Sequence, residues 1–116
     1  MKIISKHQAI ERKNSEACIV TEYPIKDEMM DFAIVTIHAR YPEAPQYAVN
    51  LVCKEIVYVN RGNGKVIVDG KEYVLNEGDL ILIEAGEKFY WEGNMDLFIS
   101  CRPAFTLAQH QIVNYI

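Results

Sequence analysis

The sequence predicts an all-β domain, a sandwich or a closed barrel, on three observations. Short runs rich in Val, Ile and Tyr recur at intervals of roughly 8–12 residues, the spacing of small all-β folds. Gly marks the breaks, at 62, 64, 70, 78, 86 and 93. One break is the pair Asp69–Gly70 between two short apolar runs. That is a strong local hairpin signal, because both central residues of a type I′ turn need positive φ.

Taken in order, residues 1–16 are a polar lead-in with at most a short edge strand. Ala17 to Tyr23 reads as a strand, Pro24 to Glu28 as a turn, and Asp31 to His38 as a second strand with Ala33, Val35 and Ile37 on one face. Pro42 and Pro45 make Tyr41 to Gln46 a loop. Val49 to Asn60 is strand-forming, and Arg61-Gly62-Asn63-Gly64 is a turn. The hairpin Lys65 to Leu75 follows, then a turn at Asn76–Asp79 and an apolar strand, Leu80 to Ile83. Two more strands, Lys88 to Glu92 and Met95 to Arg102, are separated at Gly93–Asn94, and Pro103 stops the last. In the tail, Phe105, Ala108, Ile112 and Tyr115 fall at helical spacing. Both a short C-terminal helix and a strand exchanged with a second subunit remain open. The chain reads as one domain, 1–116, with its barrel core over about 17–102 and a tail over 103–116.

Composition excludes several function classes. Half of the 116 residues are hydrophobic and 24% are charged, an ordinary globular balance. The net charge of −4 and the lack of a basic cluster argue against nucleic-acid binding. No apolar run is long enough to cross a membrane or to serve as a signal peptide. Cys18, Cys53 and Cys101 are odd in number and lack C-x-x-C spacing. They read as reduced thiols in a cytoplasmic protein, not as a disulfide framework or a zinc ribbon. Phosphate loops, dinucleotide fingerprints and Ser-His-Asp patterns are missing.

Glu55-Ile56-Val57-Tyr58-Val59-Asn60-Arg61-Gly62 has the Glu-x6-Gly spacing that ends the first cupin motif. Gly78, the run 79–83, Glu84-Ala85-Gly86 and Phe89 follow the frame of the second, Gly-x5-Pro-x-Gly-x2-His. Over roughly half its length the chain therefore resembles the cupin superfamily, as a small single-domain member. The resemblance implies a double-stranded β-helix, or jelly-roll, barrel. It also implies a metal site of two His, one Glu and one further His. Of these four ligands only Glu55 is present. The first two positions fall on Ala48 and Asn50, or on Val49 and Leu51, and the last falls on Phe89. One carboxylate does not hold a transition metal. No cofactor is expected.

Within that frame Glu55 points into the barrel with Val57 and Val59, while Lys54 and Tyr58 point out. Burial would raise its pKa and make it a candidate acid or base. The structural alternative is a carboxylate hydrogen-bonded to Asn50 or a Tyr. Phe89 and Trp91 share the inward face with Leu97, Ile99 and Cys101. Asn50, Glu55, Phe89, Trp91, Tyr41 and Cys101 are the candidate ligand-binding residues. For the aromatics and Cys101, core packing is the alternative. Cys53, Cys101, His38 and His110 could enter a metal site only in an unorthodox arrangement that no spacing supports.

Two functional readings follow. One is a metal-free binding or accessory module for a small molecule. The other is a metal-independent sugar isomerase or epimerase with Glu55 as acid or base and Tyr41 or Tyr47 as its partner. The His–Tyr pair expected of such epimerases aligns nowhere in the chain. A homodimer is expected by analogy and from the apolar strand faces.

Overall fold

The computed structural model describes residues 1–114, so Tyr115 lies outside the described residues. Among the described residues there are nine strands: β1 (Ile10–Ser15), β2 (Cys18–Glu22), β3 (Ala33–Ile37), β4 (Gln46–Asn50), β5 (Lys54–Val68), β6 (Lys71–Leu75), β7 (Leu80–Ile83), β8 (Lys88–Arg102) and β9 (His110–Asn114). Short 3-10 turns occur at Lys6–Gln8 and Leu107–Gln109. No helix among the described residues is long and apolar enough to cross a membrane.

Every strand pairing is antiparallel, and the architecture follows from two long strands. β5 and β8 pair from Lys54↔Arg102 to Val68↔Phe89. On its other edge β8 carries β3 at Ala33–Ile37 and β4 at Ala48 and Val49. The other edge of β5 carries β7 at Glu55–Tyr58 and β6 at Gly64–Val68. One sheet therefore runs β1-β2-β3-β8-β5-β7 and the other β9-β4-β8-β5-β6, joined where the long strands bend. Their shared inner face encloses Val35, Ile37, Val57, Val59, Val66, Phe89, Trp91 and Leu97. This is the jelly-roll barrel expected from the sequence.

The bend corrects two sequence expectations. Arg61-Gly62-Asn63-Gly64 is not a turn, and Gly93–Asn94 does not separate two strands. Both stretches lie inside the continuous β5–β8 ladder, with Gly62↔Met95, Asn63↔Asn94 and Gly64↔Gly93 in register and a bulge between Val59 and Arg61. A Cβ on Gly62 would stand 2.0 Å from the Asn94 carbonyl oxygen, and one on Gly93 would stand 2.5 Å from the Gly64 Cα. Glycine here permits two backbones to cross closely as the sheet folds over.

The Asp69–Gly70 hairpin forms as expected, with φ of 48° and 83° at its two central residues. Val49 to Asn60 is not one strand. It breaks at residues 51–53, where Gln109 Oε1 accepts from the backbone N–H groups of Val52 and Cys53 at 3.0 and 3.2 Å.

The tail is neither a helix nor a strand given to another subunit. β9 pairs with β4 of the same chain from Gln46↔Asn114 to Asn50↔His110. Its ladder outweighs the helical spacing of a few apolar residues. The sheet thus extends past both ends of the expected 17–102 core, with β1 as the outer strand at the N-terminal side.

Candidate functional site

The barrel opens on a cavity of about 340 Å³ between the two sheets. Each candidate side chain reaches it for a local reason. Glu55 lies on the inward parity of β5 with Val57 and Val59, and all three are buried. Asn50 closes β4, and Cys101 stands opposite Glu55 on β8. Phe89 and Trp91 come from the start of β8, with ring centroids 6.0 Å apart in an edge-to-face arrangement. Tyr41 is fixed by reciprocal backbone bonds to Trp91, both 2.8 Å. All six sequence candidates, Tyr41, Asn50, Glu55, Phe89, Trp91 and Cys101, line this one cavity.

Other candidates part company here. His38 is exposed just beyond β3. Arg40 turns to the outer surface, its guanidinium 3.6 Å from the Tyr90 ring centroid and bonded to the carbonyls of Pro42 and Gln46. Cys53 is buried but not among the cavity-lining residues. It accepts a hydrogen bond from Cys101, which lowers the Cys53 pKa and raises that of Cys101. Burial pushes Cys18, another wall residue, up to about 12. The raised pKa values of Cys18 and Cys101 make those two thiols poor nucleophiles.

Sequence reasoning missed His110, Arg12 and Asp31 as wall residues. His110 opens β9, Arg12 comes from β1, and Asp31 precedes β3. Asp31 uses both carboxylate oxygens on backbone N–H groups, those of Cys101 at 2.7 Å and Phe105 at 2.9 Å. Arg12 pairs with Glu22 at 2.5 Å and bonds Asn14. The polar lead-in over residues 1–16 predicts at most a short edge strand, with nothing to place Arg12 at the mouth. Tail residue His110 carried no local signal, since its β4 partner lies 60 residues upstream.

At the floor, Asn50 joins three side chains directly and a fourth through His110. Its Nδ2 donates to Glu55 Oε1 at 3.1 Å. Its Oδ1 accepts from Gln109 Nε2 at 3.1 Å and bonds His110 Nδ1 at 2.8 Å. His110 Nε2 lies 3.2 Å from the Tyr41 hydroxyl. No buried side-chain polar atom among the described residues lacks a partner, and Glu55 has no other hydrogen bond there. The second Glu55 oxygen therefore opens on the cavity.

Burial pushes the Glu55 pKa up to about 7, the Asn50 bond pulls it down, and the Asp31 charge adds to the rise. Burial lowers His110, as does Arg12. Tyr41 is held well above the usual phenol range, chiefly by burial. A carboxyl of this kind can donate or accept a proton near neutral pH.

The metal site implied by the sequence resemblance does not fit these residues. Phe89 brings a hydrocarbon ring to the last of the four ligand positions, and Asn50 brings an amide whose two ends are both engaged. Both His110 nitrogens are also engaged. Among the described residues no three His, Cys, Asp or Glu side chains cluster to hold an ion.

No curated protein matches the sequence. Solved structures match in fold. The Streptomyces nucleoside dehydratase Pac13, seen with uridine, superposes with a TM-score of 0.87 at 18% identity, covering 100% of this chain and 93% of that one. KdgF from Halomonas sp. gives 0.70 at 12% identity, with 89% of this chain and 94% of that one covered. Salicylate 1,2-dioxygenase from Pseudoaminobacter salicylatoxidans, as gentisate adducts, gives 0.66 at 16%, with 78% and 26% covered. A family model described as a cupin domain matches residues 35–97, more than half of the sequence. With the bent antiparallel barrel and the inward Glu55 already in place, that match makes the chain a member of the cupin domain family.

Proposed function

We propose that the chain is a metal-independent small-molecule site in which Glu55 exchanges a proton with its ligand, as in an isomerase or epimerase. The observation that carries this reading is the buried Glu55 carboxyl on the cavity floor, with one oxygen held by Asn50 and the other open. A volume of about 340 Å³ suits a compound of one or two rings. The charged wall residues are Glu22, Asp27, Asp31 and Glu55 against Arg12 and Lys26, with Arg12 matched by Glu22 and Asp31 accepting from two backbone donors. Acids outnumber bases, so a neutral ring compound with hydroxyls fits better than an anion. Two proteins of similar fold are seen with ring compounds, uridine and gentisate, which supports the class.

A plain binding module would use the same pocket, with Glu55 only accepting a ligand hydroxyl. The test is a thermal-shift screen of nucleosides, sugars and small phenols on chelator-treated protein near pH 6 and pH 8, followed by product analysis of the hits. pH-dependent stabilisation that E55Q abolishes, with a rearranged product, supports the reading. Stabilisation without turnover leaves the binding module. Stabilisation that requires added transition metal sinks both.

We also propose that the chain pairs with a second copy through the outer face of β7 and β5. Leu80 is 64% and Leu82 53% exposed, and they stand beside outward Tyr58 and Ile56. Tyr58 stacks on Phe98 of β8 at 6.2 Å, continuing the apolar surface onto a third strand.

A further inference from the structure

We infer that Tyr41 and His110 form a second proton-transfer arm of this site, with Tyr41 touching the ligand and His110 acting through it. The inference rests on the reading of Glu55 above and extends it to the side chains held on the far side of Asn50.

The hydrogen-bond chemistry gives the arm a direction. Asn50 Oδ1 can only accept, and it already accepts from Gln109 Nε2. His110 Nδ1, 2.8 Å away, must therefore carry a hydrogen. In a neutral imidazole Nε2 is then the acceptor, so the Tyr41 O–H at 3.2 Å donates to it. The opposite orientation of the Asn50 amide is excluded, because it would turn Nδ2 on to Gln109 Nε2, a donor fixed in place by the bonds of Gln109 Oε1 to the Val52 and Cys53 N–H groups. The chain of donors runs Tyr41 to His110 to Asn50 to Glu55 without a break.

The surroundings keep His110 neutral. Its ring lies 5.4 Å from that of Phe105 and half out of solvent. The charged and titratable residues that line the cavity with it are Arg12 of β1, Cys18 and Glu22 of β2, Tyr23, Lys26, Asp27, Asp31, Tyr41, Glu55 of β5 and Cys101 of β8. Burial and the Arg12 charge both disfavour the imidazolium, while burial favours a protonated Glu55. The two groups thus hold protons in the reverse of their order in water, a loaded acid and an empty base in one cavity.

The transfer balances. A ligand X–H gives its proton to the Tyr41 oxygen as Tyr41 passes its own hydroxyl proton to His110 Nε2. Glu55 gives its proton to a second ligand atom. The ligand gains as many protons as it loses, which is an isomerisation. The protein is left with an imidazolium and a carboxylate, reset through solvent. Tyr41 stays a neutral phenol before and after, so its high pKa is no obstacle.

The probe is 4-nitrophenol, whose anion absorbs in the visible, with histidine nitrogen and glutamate carboxyl NMR on the full chain. Near pH 6 the wild type should develop the phenolate band on binding, and H110Q and Y41F should lose it. NMR should show His110 as the Nδ1–H tautomer, and Y41F should raise its titration midpoint by half a unit or more with Glu55 unmoved. A wild type without the band, a band that survives H110Q, or an Nε2–H tautomer overturns the arm. A Glu55 midpoint at its ordinary value instead sinks the underlying Glu55 reading, and the dye still decides the arm.

Discussion

Asn50 holds Glu55 by a single hydrogen bond, Nδ2 to Oε1 at 3.1 Å, while its other end is committed to Gln109 and His110. One amide thus orients the carboxyl and ties it to the last strand. Replacing Asn50 by Ala would leave three buried polar partners short of a bond. We predict a loss of about 2–4 kcal/mol in urea unfolding and a further rise in the Glu55 midpoint. A loss below about 1 kcal/mol would show that water replaces the amide at no cost.

Glu55 should make stability depend on pH. Its folded pKa, about 7, lies above the ordinary 4.5, so the folded state holds a proton that the unfolded state releases. The contribution is fully present below about pH 4.5 and is lost as pH rises through 7. Glu55→Gln should match wild type near pH 4.5 and exceed it by about 1–3 kcal/mol near pH 8. Parallel stability curves for the two proteins from acid to alkaline pH would contradict this.

At the bend, space rather than turn chemistry should decide tolerance. Gly62→Ala and Gly93→Ala place a Cβ 2.0 and 2.5 Å from backbone atoms and should cost upwards of about 3 kcal/mol. Gly78→Ala meets nothing within 4 Å and bears only the strain of φ +90°, about 1 kcal/mol. Thermal melts of the three variants give the order directly, and equal losses would refute the close crossing.

The outer face of β7 should govern association. Sedimentation of wild type at micromolar concentration should give a dimer, and a Leu80→Lys, Leu82→Glu double variant should give a folded monomer. A wild-type monomer at high concentration would remove the apolar face as an interface.

The barrel was legible where local chemistry and long-range structure agree. The Asp69–Gly70 hairpin and the inward parity of Glu55, Val57 and Val59 need only neighbouring residues to be read. The bend was misread because glycine carries the same local signal in a turn as at a close crossing. Which of the two forms depends on whether Gly62 meets Met95 across a ladder. The tail was misread because the spacing of Phe105, Ala108 and Ile112 fits one helical face, while the strand that captures Ile112 is β4. For the site, the residues on the long strands could be placed by parity. His110 sits on a strand whose partner, β4, lies some 60 residues upstream, and Arg12 sits on an edge hairpin whose polar residues do not show which side faces the cavity.

Gln109 and His110 follow every other element of the cavity along the chain. During synthesis, the strands that carry Glu55, Phe89 and Trp91 leave the ribosome first and can already pair. Until the last strand arrives, Asn50 Oδ1 has neither Gln109 nor His110 to bond, and the amides of Val52 and Cys53 have no acceptor from Gln109. The nascent chain can therefore be a barrel before its cavity floor is complete, and a message cut short after Arg102 would make the container without Gln109 and His110.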